Sequence, residues 1–182
     1  MGWRNRVEIS GDFCILWAFL ILVLPPRLLL ASAVSAMLHE AFHAVAVWFT
    51  GGCIRSIRME AGGIVMDVAE MDGVRELFCA SAGPVGSLLL ACAPYPLLSL
   101  CGLVQGLFNL IPVMPLDGGR MMGCILDLTV PHFRTQIERG VALMVWAALL
   151  VIACYLGGGA VLLWLVVVFR KFPCKPWGKR VQ

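Results

Sequence analysis

Charged residues are scarce in this sequence. They make up 14% of the 182 residues, whereas 60% are hydrophobic. Because about 25% of the residues of a soluble domain are charged, a single globular core would leave much of this apolar surface in water. The composition therefore argues against a soluble domain and predicts a chain that crosses a membrane several times. The net charge of +3 is small and gives no indication of a nucleic-acid partner.

Cysteine pairs, repeats and long polar segments are absent. The eight cysteines form no C-x-x-C pair and most lie in apolar runs, where we expect small hydrophobic side chains rather than a disulfide framework. Since no polar stretch is long enough for a soluble domain, we expect residues 1–182 to form a single membrane-embedded unit without a soluble regulatory domain. Its core is predicted at residues 30–126, with a C-terminal pair of helices at residues 137–171.

The N-terminal segment has some features of a secretory signal peptide. Arg4 and Arg6 precede the apolar run "FCILWAFLILVL", and "ASA" follows at residues 31–33, an order typical of a cleaved leader. However, "PPRLLL" separates the run from "ASA", and a second apolar run continues to Phe49. Cleavage at this place would remove a span, so we expect the segment to be retained as the first membrane helix.

Six apolar runs predict six transmembrane helices and an all-α polytopic fold. The predicted spans are residues 12–28, 30–50, 76–98, 100–126, 139–156 and 158–170. The last two, separated by "GGG" at residues 157–159, are short, because a straight span needs about 20 residues. One long helix in this region is therefore the alternative.

The basic residues predict the orientation of these spans. With a cytoplasmic N-terminus and six crossings, every Lys and Arg except Arg27 falls on the cytoplasmic side, as the positive-inside rule requires. A five-span chain would place the C-terminal cations outside, which favours a real hairpin at "GGG". We therefore expect both termini to lie in the cytoplasm.

The cytoplasmic loop at residues 51–75 is predicted to contain a short β-hairpin. The pieces "CIRSIRME" and "GIVMDV" alternate apolar and polar residues on either side of "AGG", as in two strands joined by a glycine-containing turn. Such a hairpin could hold an extended peptide by backbone hydrogen bonds or could simply plug a cavity. The sequence leaves both roles open.

The stretch "LHEAFHA" in the second span carries polar groups that lipid disfavours. His39 and His43 are four residues apart, so they lie one turn apart on one face of a helix and could hold one zinc ion. Glu40 lies one step round the helix, where it can reach water at the metal and act as a general base. A carboxylate within a span usually has a function, so we interpret the stretch as a catalytic zinc site.

A catalytic zinc ion needs a third protein ligand. One candidate is Asp117, in "FNLIPVMPLDGGR" at residues 108–120, where prolines interrupt the apolar run and the backbone can line a cavity. The other is His132, in the polar segment "TVPHFRTQ". We favour Asp117, because His132 lies beyond a further turn in a solvated loop. Asp117 also falls towards the same half of the membrane as the two histidines. The simpler alternative is that Asp117 only pairs with Arg120.

Together, "LHEAFHA" and "NLIPVMPLDGG" resemble the site-2 protease family of intramembrane zinc metalloproteases. The segments "AGGIVMDV" and "SAGPVGSLLL" are most similar to the bacterial sporulation branch, which processes a membrane-associated pro-sigma factor. The resemblance is close over residues 30–126. It implies a bacterial cytoplasmic membrane location, one Zn²⁺ per chain, and regulated intramembrane proteolysis.

The resemblance also assigns individual residues. It implies that His39, His43 and Asp117 are zinc ligands, that Glu40 is the catalytic base, and that Asn109 positions substrate or stabilises the oxyanion. It implies that the hairpin is membrane-associated and lies beside the site. Two departures stand out: the branch usually carries a C-terminal nucleotide-sensing domain, which this sequence lacks, and Val85, Gly86 and Ser87 follow Gly83-Pro84 where many members have a larger polar residue.

We therefore predict an endopeptidase that cleaves a membrane-spanning or membrane-associated regulatory protein, such as a pro-sigma or anti-sigma factor. We expect the lipid bilayer to surround the protein, and a membrane-embedded regulator is a further candidate partner. The alternative is a zinc-binding transporter or a non-proteolytic scaffold. Glu40 favours the enzyme, because a transporter has no need of a base beside its metal.

Overall fold

The computed structural model describes residues 6–60, 63–69 and 71–155. This part of the chain forms six α-helices, one short 3₁₀ helix and one small sheet. The helices are α1 (Gly11–Val23), α2 (Pro26–Phe49), α3 (Gly73–Leu90), α4 (Pro96–Asn109), α5 (Asp117–Thr129) and α6 (Arg134–Tyr155), and the 3₁₀ helix is Pro131–Phe133. The fold is therefore mostly helical, as the apolar runs predict.

The sheet has three strands, one more than the predicted hairpin. Strand β2 (Ile54–Glu60) pairs antiparallel with β3 (Gly63–Val68), so the hairpin is present. The additional strand β1 (Arg6–Ile9) pairs parallel with β2, giving the order β1-β2-β3. Strand β1 was not predicted, because its four residues pair with a segment far along the chain and leave no local turn signal.

The fourth predicted span, at residues 100–126, is wrong as a single helix. Helix α4 ends at Asn109 and α5 begins at Asp117, with an irregular segment between them. Pro112 and Pro115 lie in this segment, and proline lacks the amide hydrogen that a continuous helix needs. The break places Asp117 in the first turn of a new helix rather than in the middle of a continuous one.

Helix α3 lies at the centre of the bundle, packed against α2, α4 and α5. A buried apolar cluster joins the end of α2 and the middle of α3 to strand β3, through Val47, Cys79 and Val68. This cluster fixes the sheet next to the C-terminal half of α2, within about two turns of His39 and His43.

Two helices, α2 and the segment Pro131–Ile152, are long and apolar enough to cross a membrane. Helices α1 and α4 are apolar but have 13 and 14 residues, which is about 20 Å of helix against a hydrocarbon core of about 30 Å. On α1 and α6, Ile15, Leu22 and Leu143 are largely exposed, as expected of surfaces that contact lipid. The sixth predicted span, residues 158–170, lies outside the described residues.

Candidate metal centre

Helix α2 presents His39 and His43 towards the bundle interior. Both side chains are buried, with residue exposures of 3% and 6%. Their rings meet edge to face, with centroids 4.8 Å apart and an interplanar angle of 84°. The spacing of four residues has therefore brought two imidazoles onto one buried face of the helix, as predicted.

Asp117 completes a cluster of three donor atoms. Its Oδ2 lies 3.0 Å from His39 Nε2 and 3.1 Å from His43 Nε2, and the two Nε2 atoms are 3.3 Å apart. Asp117 is itself buried. Among the described residues, these three are the group whose ligand atoms could hold a metal ion.

The size of this triangle suits zinc. Ligands at about 2.0–2.1 Å from a tetrahedral zinc ion lie about 3.3–3.4 Å from one another, close to the 3.0–3.3 Å edges of the cluster. Two imidazoles and one carboxylate are also ligands that zinc accepts, and three protein ligands are the number found in catalytic sites. The donor set therefore fits one zinc ion.

The remaining ring nitrogens are held by helix α3. His43 Nδ1 lies 2.7 Å from the backbone carbonyl oxygen of Cys79, which can only accept, so this nitrogen carries the proton and donates it. His39 Nδ1 lies 2.8 Å from the hydroxyl oxygen of Ser87. A proton on Nδ1 leaves the Nε2 lone pair free for a metal ion, which is the arrangement that orienting partners impose on zinc-binding histidines.

Glycines allow the backbone to approach the cluster. A Cβ atom at Gly83 of α3 would overlap His43 Nε2 and come within 2.8 Å of His39 Cε1. A Cβ atom at Gly118 would overlap the carbonyl of Leu110, in the segment that precedes α5. Close packing of α3 and of this segment around the donor atoms therefore depends on residues without side chains.

Two charged residues adjoin the cluster. Glu40 follows His39 on α2, is partly buried, and lies close enough to interact electrostatically with both histidines and with Asp117. Arg120 lies with Nη1 3.4 Å from Asp117 Oδ1, the oxygen that does not face the histidines. Asp117 thus contacts the two histidines through Oδ2 and Arg120 through Oδ1. Its pairing with Arg120 therefore does not remove it from the metal cluster.

The other two sequence candidates lie elsewhere. Asn109 is the last residue of α4, and its side-chain amide donates a hydrogen bond back to the carbonyl of Gln105. His132 is exposed in the 3₁₀ helix beyond the far end of α5, about 20 Å along the helix from Asp117. The structure therefore brings Asp117, and not His132, to the two histidines.

The partners that orient the cluster were not predicted from the sequence. Ser87 and the carbonyl of Cys79 were not singled out as such partners. A part-buried hydrogen bond from Ser35 on α2 to Gln105 Oε1 on α4, at 2.7 Å, was not predicted either. A signal did exist: Cys79, Gly83 and Ser87 are spaced by four, so they form one small-residue face of α3.

Comparisons with known proteins agree with this geometry. The chain matches the family model for M50B-like peptidases over residues 13–112 and the model for peptidase family M50 over residues 89–153. A zinc metalloprotease of Methanocaldococcus jannaschii is 36% identical over 131 residues. That match covers 62% of this chain and 36% of the relative, so the chain spans about a third of the length of this curated relative.

A solved structure is similar over nearly the whole chain. It is the site-2 protease from Methanocaldococcus jannaschii, with a TM-score of 0.69 and 26% sequence identity, covering 97% of this chain and 92% of that one. The match therefore extends well beyond the two histidines and the aspartate. The chain belongs to the M50B-like peptidase family.

Proposed function

We propose that this chain is an intramembrane zinc endopeptidase of the site-2 protease type. The single observation that carries the proposal is the cluster of His39, His43 and Asp117, with the carboxylate of Glu40 beside it. The cluster is buried among helices that are rich in apolar residues, and the protein belongs to a peptidase family. In combination, these features match the requirements of peptide hydrolysis at membrane depth.

In this proposal, His39, His43 and Asp117 would hold one zinc ion. Zinc supplies Lewis-acid activation of water and of the peptide carbonyl. Glu40 accepts a proton from the water molecule as the water oxygen bonds to the carbonyl carbon of the peptide. It then delivers that proton to the amine nitrogen as the C–N bond breaks, so the reaction consumes one water and leaves Glu40 unchanged.

Two further residues have proposed roles at this site. Arg120 contacts Asp117 Oδ1 at 3.4 Å and so holds the carboxylate with its other oxygen towards the histidines. Asn109 ends α4 directly before the irregular segment that leads to Asp117. We assign Asn109 to positioning of the substrate or to stabilisation of the oxyanion, on the strength of the family motif "NLIPVMPLDGG".

The membrane topology is a separate proposal: six crossings, with both termini in the cytoplasm of a bacterial cell. Strand β1 precedes α1 and strand β2 follows α2, and the two are hydrogen-bonded to each other. Because paired strands lie on the same side of the membrane, this contact supports α1 and α2 as a helical hairpin that crosses and returns. The distribution of basic residues supports the cytoplasm as that side.

The substrate proposed here is a membrane-spanning or membrane-associated regulatory protein, such as a pro-sigma or anti-sigma factor. A substrate helix must unwind to expose its amide, and the sheet beside α2 could receive the extended strand. The sequence similarity of "SAGPVGSLLL" to the sporulation branch supports a pro-sigma factor and a role in sporulation. A membrane-embedded regulator is compatible with this scheme.

A proteomic comparison tests the proposal. Cells that carry either the wild-type chain or Glu40→Gln should differ in a small set of membrane proteins, which accumulate uncleaved in the variant. The purified wild-type chain should then cleave such a protein in detergent and stop when a chelator removes the metal. A wild-type chain that contains zinc yet cleaves none of these proteins would instead support the transporter or scaffold alternative.

A further inference from the structure

We propose that Ser87 is a positioning residue for the metal centre, which holds His39 in the tautomer that binds zinc. This inference rests on the zinc site of the proposed function and concerns the helix behind it. Ser87 is 1% exposed, and its hydroxyl oxygen lies 2.8 Å from His39 Nδ1. By accepting the Nδ1 proton in a hydrogen bond, the hydroxyl keeps the Nε2 lone pair directed at the cluster.

Helices α2 and α3 are in register along the metal cluster. Cys79, Gly83 and Ser87 are one turn apart on α3, and they face His43 and His39, one turn apart on α2. The carbonyl of Cys79 contacts His43, Gly83 approaches both rings, and Ser87 contacts His39. One face of α3 therefore supplies a hydrogen-bond acceptor that orients each histidine. Between these two acceptors, Gly83 leaves room for the imidazole rings.

The two acceptors differ in kind. His43 donates to a backbone carbonyl, which is present whatever side chain occupies position 79. His39 depends on a side-chain hydroxyl, so a single substitution can remove its acceptor. Without that acceptor, no hydrogen bond stabilises the His39 tautomer that carries its proton on Nδ1. The competing tautomer carries the proton on Nε2 and cannot bind a metal ion through that atom.

Helix α4 confines Ser87 from the other side. A Cβ atom at Gly102 would come within 2.8 Å of the Ser87 carbonyl oxygen, and one at Gly106 would come within 3.2 Å of Ser87 Cβ. These glycines let α4 approach the backbone and Cβ of Ser87 closely. Ser87 is therefore packed between α4 on one side and His39 on the other.

The test is the zinc affinity of the full-length chain in detergent, measured by competition with a chromophoric chelator on the monodisperse fraction. Loss of an orienting partner typically weakens metal binding about 10- to 100-fold, and we expect a loss in this range for Ser87→Ala. The matched control is Ser81→Ala on the same helix, whose exposed hydroxyl donates to the carbonyl of Phe78. It should bind zinc within about twofold of the wild type.

A second readout separates positioning from a merely structural role. Thermal unfolding of the metal-free chain should be similar in Ser87→Ala and the wild type, whereas zinc should raise the melting temperature less in the variant. Wild-type zinc affinity in Ser87→Ala, or a loss of metal-free stability without a loss of affinity, would overturn the inference and leave the proposed function standing. Absence of zinc binding in the wild-type chain would overturn both.

Discussion

Asp117 Oδ2 lies 3.1 Å from His43 Nε2, although 74 residues separate the two in sequence. The contact joins the first turn of α5 to the middle of α2. It exists because the chain breaks after α4, which allows the carboxylate to enter the bundle at the start of a helix. The site is therefore assembled by the fold and not by a local motif alone.

Removal of the Asp117 carboxylate should remove most of the bound zinc. The purified wild-type chain should contain about one equivalent of zinc, and Asp117→Ala should lose it, because two histidines alone leave the ion without its charged ligand. Metal analysis of the purified proteins is the measurement. His132→Ala is the control and should keep its zinc, since His132 is exposed beyond the other end of α5. The reverse result would reassign the third ligand to His132.

Glu40→Gln should separate metal binding from catalysis. The amide keeps the shape of the side chain but cannot accept a proton, and removal of a general base typically slows a reaction by about 10²- to 10⁴-fold. Zinc content should stay at the wild-type level, and the variant should co-purify with uncleaved substrate. Cleavage at close to the wild-type rate by Glu40→Gln in detergent would show that another group is the base.

Gly83→Ala should disrupt the metal centre although it adds only one methyl group. The new carbon would overlap the ring of His43, and overpacking of this kind costs about 1–3 kcal/mol. We expect a large loss of zinc affinity and a lower melting temperature. Gly140→Ala on α6 is the matched control, because no atom lies within 4 Å of its added carbon. Equal zinc affinity in Gly83→Ala and the wild type would contradict the close approach of α3.

The proposed topology predicts opposite sides for two connecting segments. Reporter fusions after Ala93, between α3 and α4, should report the outside, whereas fusions after Phe133, before α6, should report the cytoplasm. The physical reason is the distribution of basic residues along the chain. A fusion after Ile9, within β1, should match the Phe133 fusion. If the Ala93 and Phe133 fusions report the same side, α4 and α5 together do not cross the membrane.

Sequence alone predicted the features that depend on neighbouring residues. The helix around His39 and His43 and the β2–β3 hairpin both follow from short-range periodicity. The roles of Glu40 and Asn109 remain predictions. Strand β1 and the Ser87 contact were not predicted, because each depends on a partner about 50 residues away along the chain. The spacing of Cys79, Gly83 and Ser87 marks one face of α3 but does not name the partner of that face. The fourth span was predicted as one helix, because its hydropathy continues through the prolines that divide it into α4 and α5.

The parallel pairing of β1 with β2 has a consequence for the order of assembly. Strand β2 starts 48 residues after β1 starts, and at about 5–20 residues per second the ribosome needs about 2–10 s to make the intervening chain. A hairpin such as β2–β3 closes within about 1–10 μs. Strand β1 therefore has unpaired backbone groups for seconds until β2 is synthesised, whereas β3 ends only eight residues after β2 and finds its partner already made.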